Sequence, residues 1–232
     1  MSLANFSNKM SYADYLKLPE GTTMQIIDGV PYNMSPGDPT TIHQQTSMNV
    51  SHLFMNFFKE RECEVFAAPF DVRLFARDKM DEEIVNVVQP DISVICVNDK
   101  LDDKGCIGAP DLIVEILSLS TVRLDKVIKL NLYADAGVKE YWIADPQNRL
   151  IEIFHLDSHG NYALPDIFST ADTIDSSIFK ELKVEVSEVF PSSPLIKEES
   201  TDYHNLFDRI DNLPAEERSA LLARMKSRYF SD

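Results

Sequence analysis

The sequence predicts an α/β domain with a mixed central β-sheet flanked by helices, followed by a C-terminal helical extension. The main observation is the order strand, helix, strand between residues 111 and 145, which is the order of a βαβ unit. Upstream of it, short β-rich segments alternate with helical ones. At 232 residues and 44% hydrophobic content, the chain can bury a full core.

The N-terminal third begins with a short helix and a hairpin. Ser11 is placed to cap the helix "YADYLKLP", which "PEG" then ends. Asp28 and Gly29 join two short apolar segments and form the strongest hairpin signal in the chain. Between residues 41 and 60 the apolar residues recur among polar ones in a pattern that predicts a helix.

The middle of the chain predicts the strands of the central sheet. "EVFAAPFDVRLFA" and "IVNVVQPDISVICV" are read as strands, and Pro90 marks an edge or a bulge in the second because proline cannot donate to a β-ladder. The strand "DLIVEIL" precedes a helix over "VRLDKVIKLNLYADAG", with Gly137 as its C-terminal cap. "VKEYWIAD" and "RLIEIFHL" then predict two strands joined by the turn "DPQN".

The composition changes near residue 190 and predicts the domain boundaries. We assign residues 1–190 to the main domain, residues 191–200, which contain two prolines, to a linker, and residues 201–232 to a helical extension. The helix of the extension carries an apolar stripe that needs cover from the main domain or from another copy of the chain. The stripe consists of Leu221, Leu222, Met225 and Tyr229.

Charge and cysteine content limit the classes of function. The formal net charge of −16 argues against nucleic-acid binding, although a local basic groove or bound divalent cations can coexist with an acidic remainder. Cys63, Cys96 and Cys106 lack CxxC spacing and are odd in number, so we expect buried or idle thiols without a disulfide framework or a zinc site. Without an apolar stretch of membrane-spanning length or a signal peptide, the expected location is the cytoplasm, away from membranes.

Glu115 is an acid in the middle of an otherwise apolar strand. Side chains alternate along a strand, so Glu115 shares a face with Ile113 and Leu117, while Val114 and Ile116 face the other way. Apolar neighbours on both faces predict cover on both sides, where an ionised carboxylate needs a cation, a metal or a raised pKa. The alternative is an exposed strand end or pairing with an arginine.

Two more residues extend this candidate site. Asp91 also adjoins an apolar strand, and if the two strands are neighbours, its carboxylate and that of Glu115 can share a magnesium ion. Asp91 alone is equally a turn residue after proline. Lys129 shares a helical face with Asp125 and Tyr133, and its ammonium can orient a water or offset developing charge. A solvated surface lysine is the alternative.

Four segments together carry a resemblance to a known family: "VVQPDISVI", "GAPDLIVEILSLST", "DKVIKLNLYADAGVKEYWIADP" and "LIEIF". They resemble the consecutive signatures of a bacterial restriction endonuclease family with the PD-(D/E)XK nuclease fold, over roughly residues 10–190. The resemblance implies a restriction endonuclease-like core whose central sheet carries the catalytic acids. Asp91 matches the aspartate of the PD motif, and Glu115 matches the second acid.

The resemblance also implies roles and departures for other residues. The position two residues after the second acid, a lysine in the classical motif, is Leu117, and Lys129 occupies the helical position that replaces it, before Tyr133. His43 matches a family position, although such a histidine is more often structural than catalytic. Gln25 stands where the family pattern leads us to expect a glutamate before "IIDG", which counts against full activity.

The expected activity is metal-assisted hydrolysis of DNA phosphodiester bonds. Asp91, Glu115 and the main-chain carbonyl of Ile116 would hold Mg²⁺, or Mn²⁺ in its place, and Lys129 would position the water or stabilise charge. Asp125 would orient Lys129 or cap the first turn of the helix. DNA would be the partner, and a homodimer is expected because two sites cut both strands of a duplex most simply.

Two other functions remain open from the sequence. One is a non-cleaving member of the fold that binds nucleic acid or protein, which Gln25 and the acidic balance favour. The other is an oligomeric scaffold in which the C-terminal helix matters most and the acids form ordinary ion pairs. Convergence of Asp91, Glu115 and Lys129 in the folded chain would favour the nuclease over both.

Overall fold

The computed structural model describes residues 9–19, 21–33, 40–96, 98–118 and 120–191. The strands in these ranges are β1 (Met24–Ile27), β2 (Val30–Asn33), β3 (Glu64–Ala67), β4 (Val72–Arg73), β5 (Val87–Val88), β6 (Ile92–Ile95), β7 (Leu101–Asp102), β8 (Gly105–Ile107), β9 (Leu112–Ile116), β10 (Glu140–Asp145), β11 (Leu150–His155), β12 (Asp166–Ser169), β13 (Thr173–Asp175) and β14 (Lys183–Glu185). The helices are α1 (Tyr12–Tyr15), α2 (Thr41–Phe58), a π-helix (Leu124–Lys129), α3 (Leu130–Ala136) and α4 (Val186–Val189), with a 3-10 turn at Asn98–Lys100.

A six-stranded mixed sheet, in the order β12-β11-β10-β9-β6-β3, forms the centre of the fold. Strands β9 and β10 are parallel neighbours, and the other neighbouring pairs are antiparallel. The π-helix and α3 make the crossover between the two parallel strands, as the βαβ pattern predicts. The predicted α/β class with a mixed sheet and flanking helices is therefore confirmed.

Apolar side chains cover both faces of the central sheet. Val114 and Ile116 face α2, where they pack with Val50, Phe54 and other residues. Ile113 lies on the opposite face, in a second core that also contains residues of α3 and of the smaller strands. Each fully buried aliphatic side chain contributes roughly 1.5–3 kcal/mol by leaving water, so the two cores fix which face every residue of β9 takes.

A second sheet, in the order β2-β1-β5-β4-β8-β7, corrects two of the predicted strands. The segment predicted as one strand after α2 is divided between β3 in the central sheet and β4 in the second sheet. The segment around Pro90 is likewise divided, with β5 in the second sheet and β6 in the central one. Pro90 lies at this change of sheet, where no ladder hydrogen bond is required of it.

The hairpin and the second helix of the N-terminal region are confirmed, whereas α1 ends at Tyr15, earlier than predicted. Ser11 and Asp14 form a reciprocal capping box at the start of α1. Strands β1 and β2 pair as a hairpin through Asp28 and Gly29, whose φ angles of 53° and 79° are the left-handed values that a tight hairpin turn requires. The predicted helix between residues 41 and 60 is α2.

The expectation of unpaired cysteines is wrong for two of the three. Cys63 and Cys96 form a disulfide, with 3.9 Å between their Cα atoms. Cys63 directly precedes β3, and Cys96 directly follows β6. Because Glu64 pairs with Ile95, the two cysteines lie opposite each other at the end of the paired strands. Their separation of 33 residues carries no signal in the sequence, because the contact depends on strand pairing. Cys106 is a free, buried thiol, as expected.

The chain divides into residues 1–192 and residues 193–232. Apart from Pro191, the predicted linker, the C-terminal helical extension and its apolar stripe lie outside the described residues. None of the helices in the described ranges has the length and apolar character needed to cross a bilayer.

The disulfide predicts a thiol count. Unfolded without reductant, the protein should react with one equivalent of a thiol reagent, and after reduction it should react with three. Because the bond closes a long loop, its reduction should lower the free energy of unfolding by about 3 kcal/mol. A Cys106→Ser variant should show no reactive thiol before reduction, and its other two thiols should still appear after it. Three reactive thiols before reduction would contradict the pairing.

Candidate functional site

The two candidate acids lie on neighbouring strands. β6 and β9 pair antiparallel, with Ile92 opposite Val114, and the same register continued by one residue brings Asp91 opposite Glu115. The Asp91 carboxylate accepts a hydrogen bond of 2.7 Å from the main-chain N–H of Ile116. This bond fixes Asp91 at the end of the strand that carries the second acid.

The helical part of the site differs from the continuous α-helix that the sequence predicts. Residues Leu124–Lys129 form a π-helix, and α3 then runs from Leu130 to Ala136 before Gly137, with φ of 88°, ends it. A π-turn changes the angle at which successive side chains leave the helix, and such turns occur often at functional sites. Here the π-turn contains both Asp125 and Lys129, whose side chains are buried.

Lys129 contacts two carboxylates inside the protein. Its Nζ lies 2.8 Å from Oε1 of Glu115 and 3.3 Å from Oδ1 of Asp125. The hydroxyl of Tyr133 donates a second hydrogen bond, of 2.7 Å, to the same oxygen of Glu115. Glu115 is 3% exposed, and Lys129 and Asp125 are each 2% exposed. Glu115 and Lys129, two of the three residues whose convergence was predicted, are therefore in contact, while the surface lysine and the exposed glutamate are excluded.

The cluster contains more acids than bases. The Lys129 ammonium contacts Glu115 and Asp125, and Asp91 adds a third carboxylate to the cluster, so the full ionisation of all four groups would leave an excess of negative charge. Burial, together with the charges of Asp125 and Asp91, raises the pKa of Glu115 to about 8, although Lys129 opposes the rise. Burial tends to lower the pKa of Lys129, but the carboxylates of Glu115 and Asp125 outweigh it and raise this pKa above the ordinary lysine value.

His43 approaches the acids from the other face of the sheet. It lies in the first turn of α2, where Thr40 caps its main-chain N–H, and its Nε2 is 3.6 Å from Oδ2 of Asp91. The nearby Asp91 carboxylate raises the pKa of His43, burial opposes this, and the main chain of Ile116 raises the pKa further. The side chains of His43 and Asp91 are 15% and 22% exposed, so they form the open side of a site whose remaining members are buried.

The predicted supporting residue Gln25 and the unpredicted Tyr141 lie on strands of the two sheets. Gln25 is buried on β1 in the second sheet, where its Oε1 accepts a hydrogen bond of 3.4 Å from the main-chain N–H of Gln89. Tyr141 on β10 was not predicted, yet its hydroxyl donates a hydrogen bond of 3.2 Å to the main-chain carbonyl of Asp125. The sequence gives little sign of this contact, because a tyrosine in an apolar strand is usually part of the core.

The chemistry of the donors fits a hard divalent cation. Within the described ranges, no group of three or more His, Cys, Asp or Glu side chains is arranged to hold a metal. The smaller predicted set comprises two carboxylates, Asp91 and Glu115, and the main-chain carbonyl of Ile116. All are oxygen ligands of the kind that Mg²⁺ takes together with several waters, and the excess of buried carboxylates favours a cation.

Removing the buried ammonium should destabilise the fold. Lys129→Met leaves Asp125 buried without its cation and removes a hydrogen-bond donor from Glu115, and we expect a loss of about 3–5 kcal/mol in the free energy of unfolding by urea. The control is Lys126→Met in the same π-turn, where the partner is the partly exposed Glu152 and the loss should stay below about 1 kcal/mol. Equal losses in the two variants would contradict this account.

The raised pKa of Glu115 predicts a pH-dependent stability. Because the folded-state pKa of about 8 exceeds the ordinary value of 4.5, the protonated group favours the folded state. Its contribution is complete below pH 4.5 and is lost as pH rises through 8. The isosteric variant Glu115→Gln cannot ionise. As pH rises from 4.5 to 8, its free energy of unfolding should therefore come to exceed that of the wild type by at least about 1 kcal/mol. Parallel pH profiles from urea unfolding would refute the assignment.

Comparisons with known proteins agree with this fold. A relative from Synechocystis sp., named "Uncharacterized protein slr1290", is 28% identical over 161 residues, which cover 67% of this chain and 79% of the relative. The crystal structure of a "putative nuclease belonging to DUF820" from Anabaena variabilis is 18% identical, with a TM-score of 0.62 over 78% of this chain and 97% of that chain. At that identity the likeness shows a shared fold.

The family comparison covers most of the chain. The profile of the Uma2 family, described as "Putative restriction endonuclease", matches residues 12–187. This range includes His43, Asp91, Glu115 and Lys129, and it ends close to the last described residue. The resemblance drawn from the sequence is therefore confirmed, and this chain belongs to the Uma2 family of restriction endonuclease-like proteins.

Proposed function

We propose that this protein is a metal-dependent endonuclease that hydrolyses DNA phosphodiester bonds. The observation that carries the proposal is the convergence of Glu115, Lys129 and Asp91 from a strand, a π-helix and a neighbouring strand. Family membership supports nuclease activity in general. The choice of DNA as substrate and of Mg²⁺, with Mn²⁺ as a substitute, belongs to the proposal.

Asp91, Glu115 and the carbonyl of Ile116 would hold the metal. When bound, the ion would polarise the phosphate and lower the pKa of a coordinated water. The hydrogen bond from the main-chain N–H of Ile116 keeps Asp91 directed along the strand end. The hydroxyl of Tyr133 keeps one oxygen of Glu115 in place.

Lys129 supplies positive charge on the inner side of the site. Its ammonium, held by Asp125 and by Glu115, is placed to orient a water or to stabilise the charge that develops on the phosphate. Because its pKa is raised, the group stays protonated at neutral pH and acts as a cation. His43 on the open side lies close to Asp91 and is a candidate to hydrogen-bond the scissile phosphate.

A second candidate function is that of a non-cleaving nucleic-acid- or protein-binding module. Three observations favour it. Oε1 of Glu115 already accepts hydrogen bonds from Lys129 and Tyr133, and Gln25 stands where a family acid was expected. The net charge of −16 also weakens attraction to a polyanion. A scaffold role through the C-terminal segment, a homodimer and a cytoplasmic location stay predictions from the sequence.

The first test is cleavage of single-stranded and duplex DNA by the purified protein with Mg²⁺ or Mn²⁺. We expect cutting that EDTA abolishes and that Asp91→Asn and Glu115→Gln each reduce by about 100-fold or more. The control is Glu152→Gln, the same carboxyl-to-amide change at an ion pair on β11, which should cut like the wild type.

Each outcome of this assay selects one function. Equal residual cutting by every variant would indicate contamination and refute the nuclease. No cutting by a folded parent that binds Mn²⁺, with binding weakened by Glu115→Gln, would favour the non-cleaving module. Neither cutting nor metal binding by a folded parent would leave the scaffold.

A further inference from the structure

Tyr141 contacts Asp125 and Tyr133, two residues of the cluster around Glu115. In the described hydrogen bonds it does not reach Asp91 or Glu115 itself. It is fully buried on β10, the strand parallel to the one that carries Glu115. Its hydroxyl donates a hydrogen bond to the main-chain carbonyl of Asp125. Its ring packs edge to face against Tyr133, with 5.0 Å between the ring centroids.

The bond to Asp125 falls inside the π-helix. In a π-turn each N–H pairs with the carbonyl five residues earlier, which is less common and less favourable than the α-helical pairing. An additional donor to a carbonyl of the turn therefore helps to retain it. Asp125 is the residue of the turn whose side chain meets Lys129, so the hydroxyl of Tyr141 and the ammonium of Lys129 hold the same residue at its main chain and its side chain.

We propose that Tyr141 is a positioning residue that sets the π-turn and thereby places the ammonium of Lys129 against Glu115. It acts through Asp125 on one side and through the ring of Tyr133 on the other. The consequence for the reaction rests on the proposed nuclease function. The consequence for the geometry of the turn does not depend on it.

Tyr162 provides a matched control for Tyr141. Its hydroxyl also donates to a main-chain carbonyl, that of Val138, at 2.8 Å. Its ring stacks on Tyr141 with 6.2 Å between centroids, so it belongs to the same aromatic group. Tyr162→Phe removes the same kind of bond from the same core, but the carbonyl that it frees lies outside the π-turn.

The experiment compares Tyr141→Phe and Tyr162→Phe with the wild type by two measurements, at a temperature where all three are folded. The first is hydrogen exchange of the main-chain amides in residues 124–130, read by mass spectrometry. The loss of one buried hydrogen bond should speed exchange there about tenfold in Tyr141→Phe and leave it unchanged in Tyr162→Phe. The second is DNA cleavage at saturating metal, resolved into kcat and KM.

A displaced lysine should lower kcat about tenfold in Tyr141→Phe with KM unchanged, because the group acts on the reacting phosphate and contributes little to DNA binding. A merely structural tyrosine would lower stability and leave kcat for each folded molecule intact. Unchanged exchange in the turn, or equal effects in the two variants, would overturn the proposal. If the wild type does not cleave DNA, the nuclease function fails by itself, and the exchange measurement still decides the role of Tyr141.

Discussion

The contact between the Lys129 ammonium and the Glu115 carboxyl is the interaction on which the rest of the site depends. Each partner is buried, and an ammonium held there without nearby oxygen partners would carry a large cost in free energy. The pair also fixes geometry, because it joins the centre of the sheet to the crossover helix that follows the same strand. Three further residues pack around this contact and hydrogen-bond to it or to each other's main chain: Asp125, Tyr133 and Tyr141.

The fold explains why these residues meet. The acids come from two strands that are neighbours in the sheet, and the lysine comes from the crossover that every parallel pair of strands requires. Apolar cores on both faces fix the side to which each side chain points. His43 reaches Asp91 from the opposite face, over the strand end, so the site combines a closed inner part with an open outer part.

The sequence predicts what depends on local spacing. Alternation along β9 predicted the burial of Glu115, helical spacing predicted that Asp125, Lys129 and Tyr133 share a face, and the Asp28–Gly29 turn predicted the hairpin. Features that depend on distant contacts were missed. The second sheet, the disulfide between Cys63 and Cys96 and the hydrogen bond of Tyr141 all require knowledge of which strands lie together. The π-turn differs from an α-helix by a single shift in pairing, which the pattern of apolar residues does not distinguish.

Lys129 also has a consequence for how the newly synthesised chain folds. Small metal-binding domains often fold only when their ion is present, because their acidic or thiolate ligands repel one another without it. Here a side chain of the chain itself compensates the buried carboxylates. The described fold therefore needs no divalent ion to hold these acids together, and we expect the newly synthesised chain to reach its native structure whatever the supply of such ions.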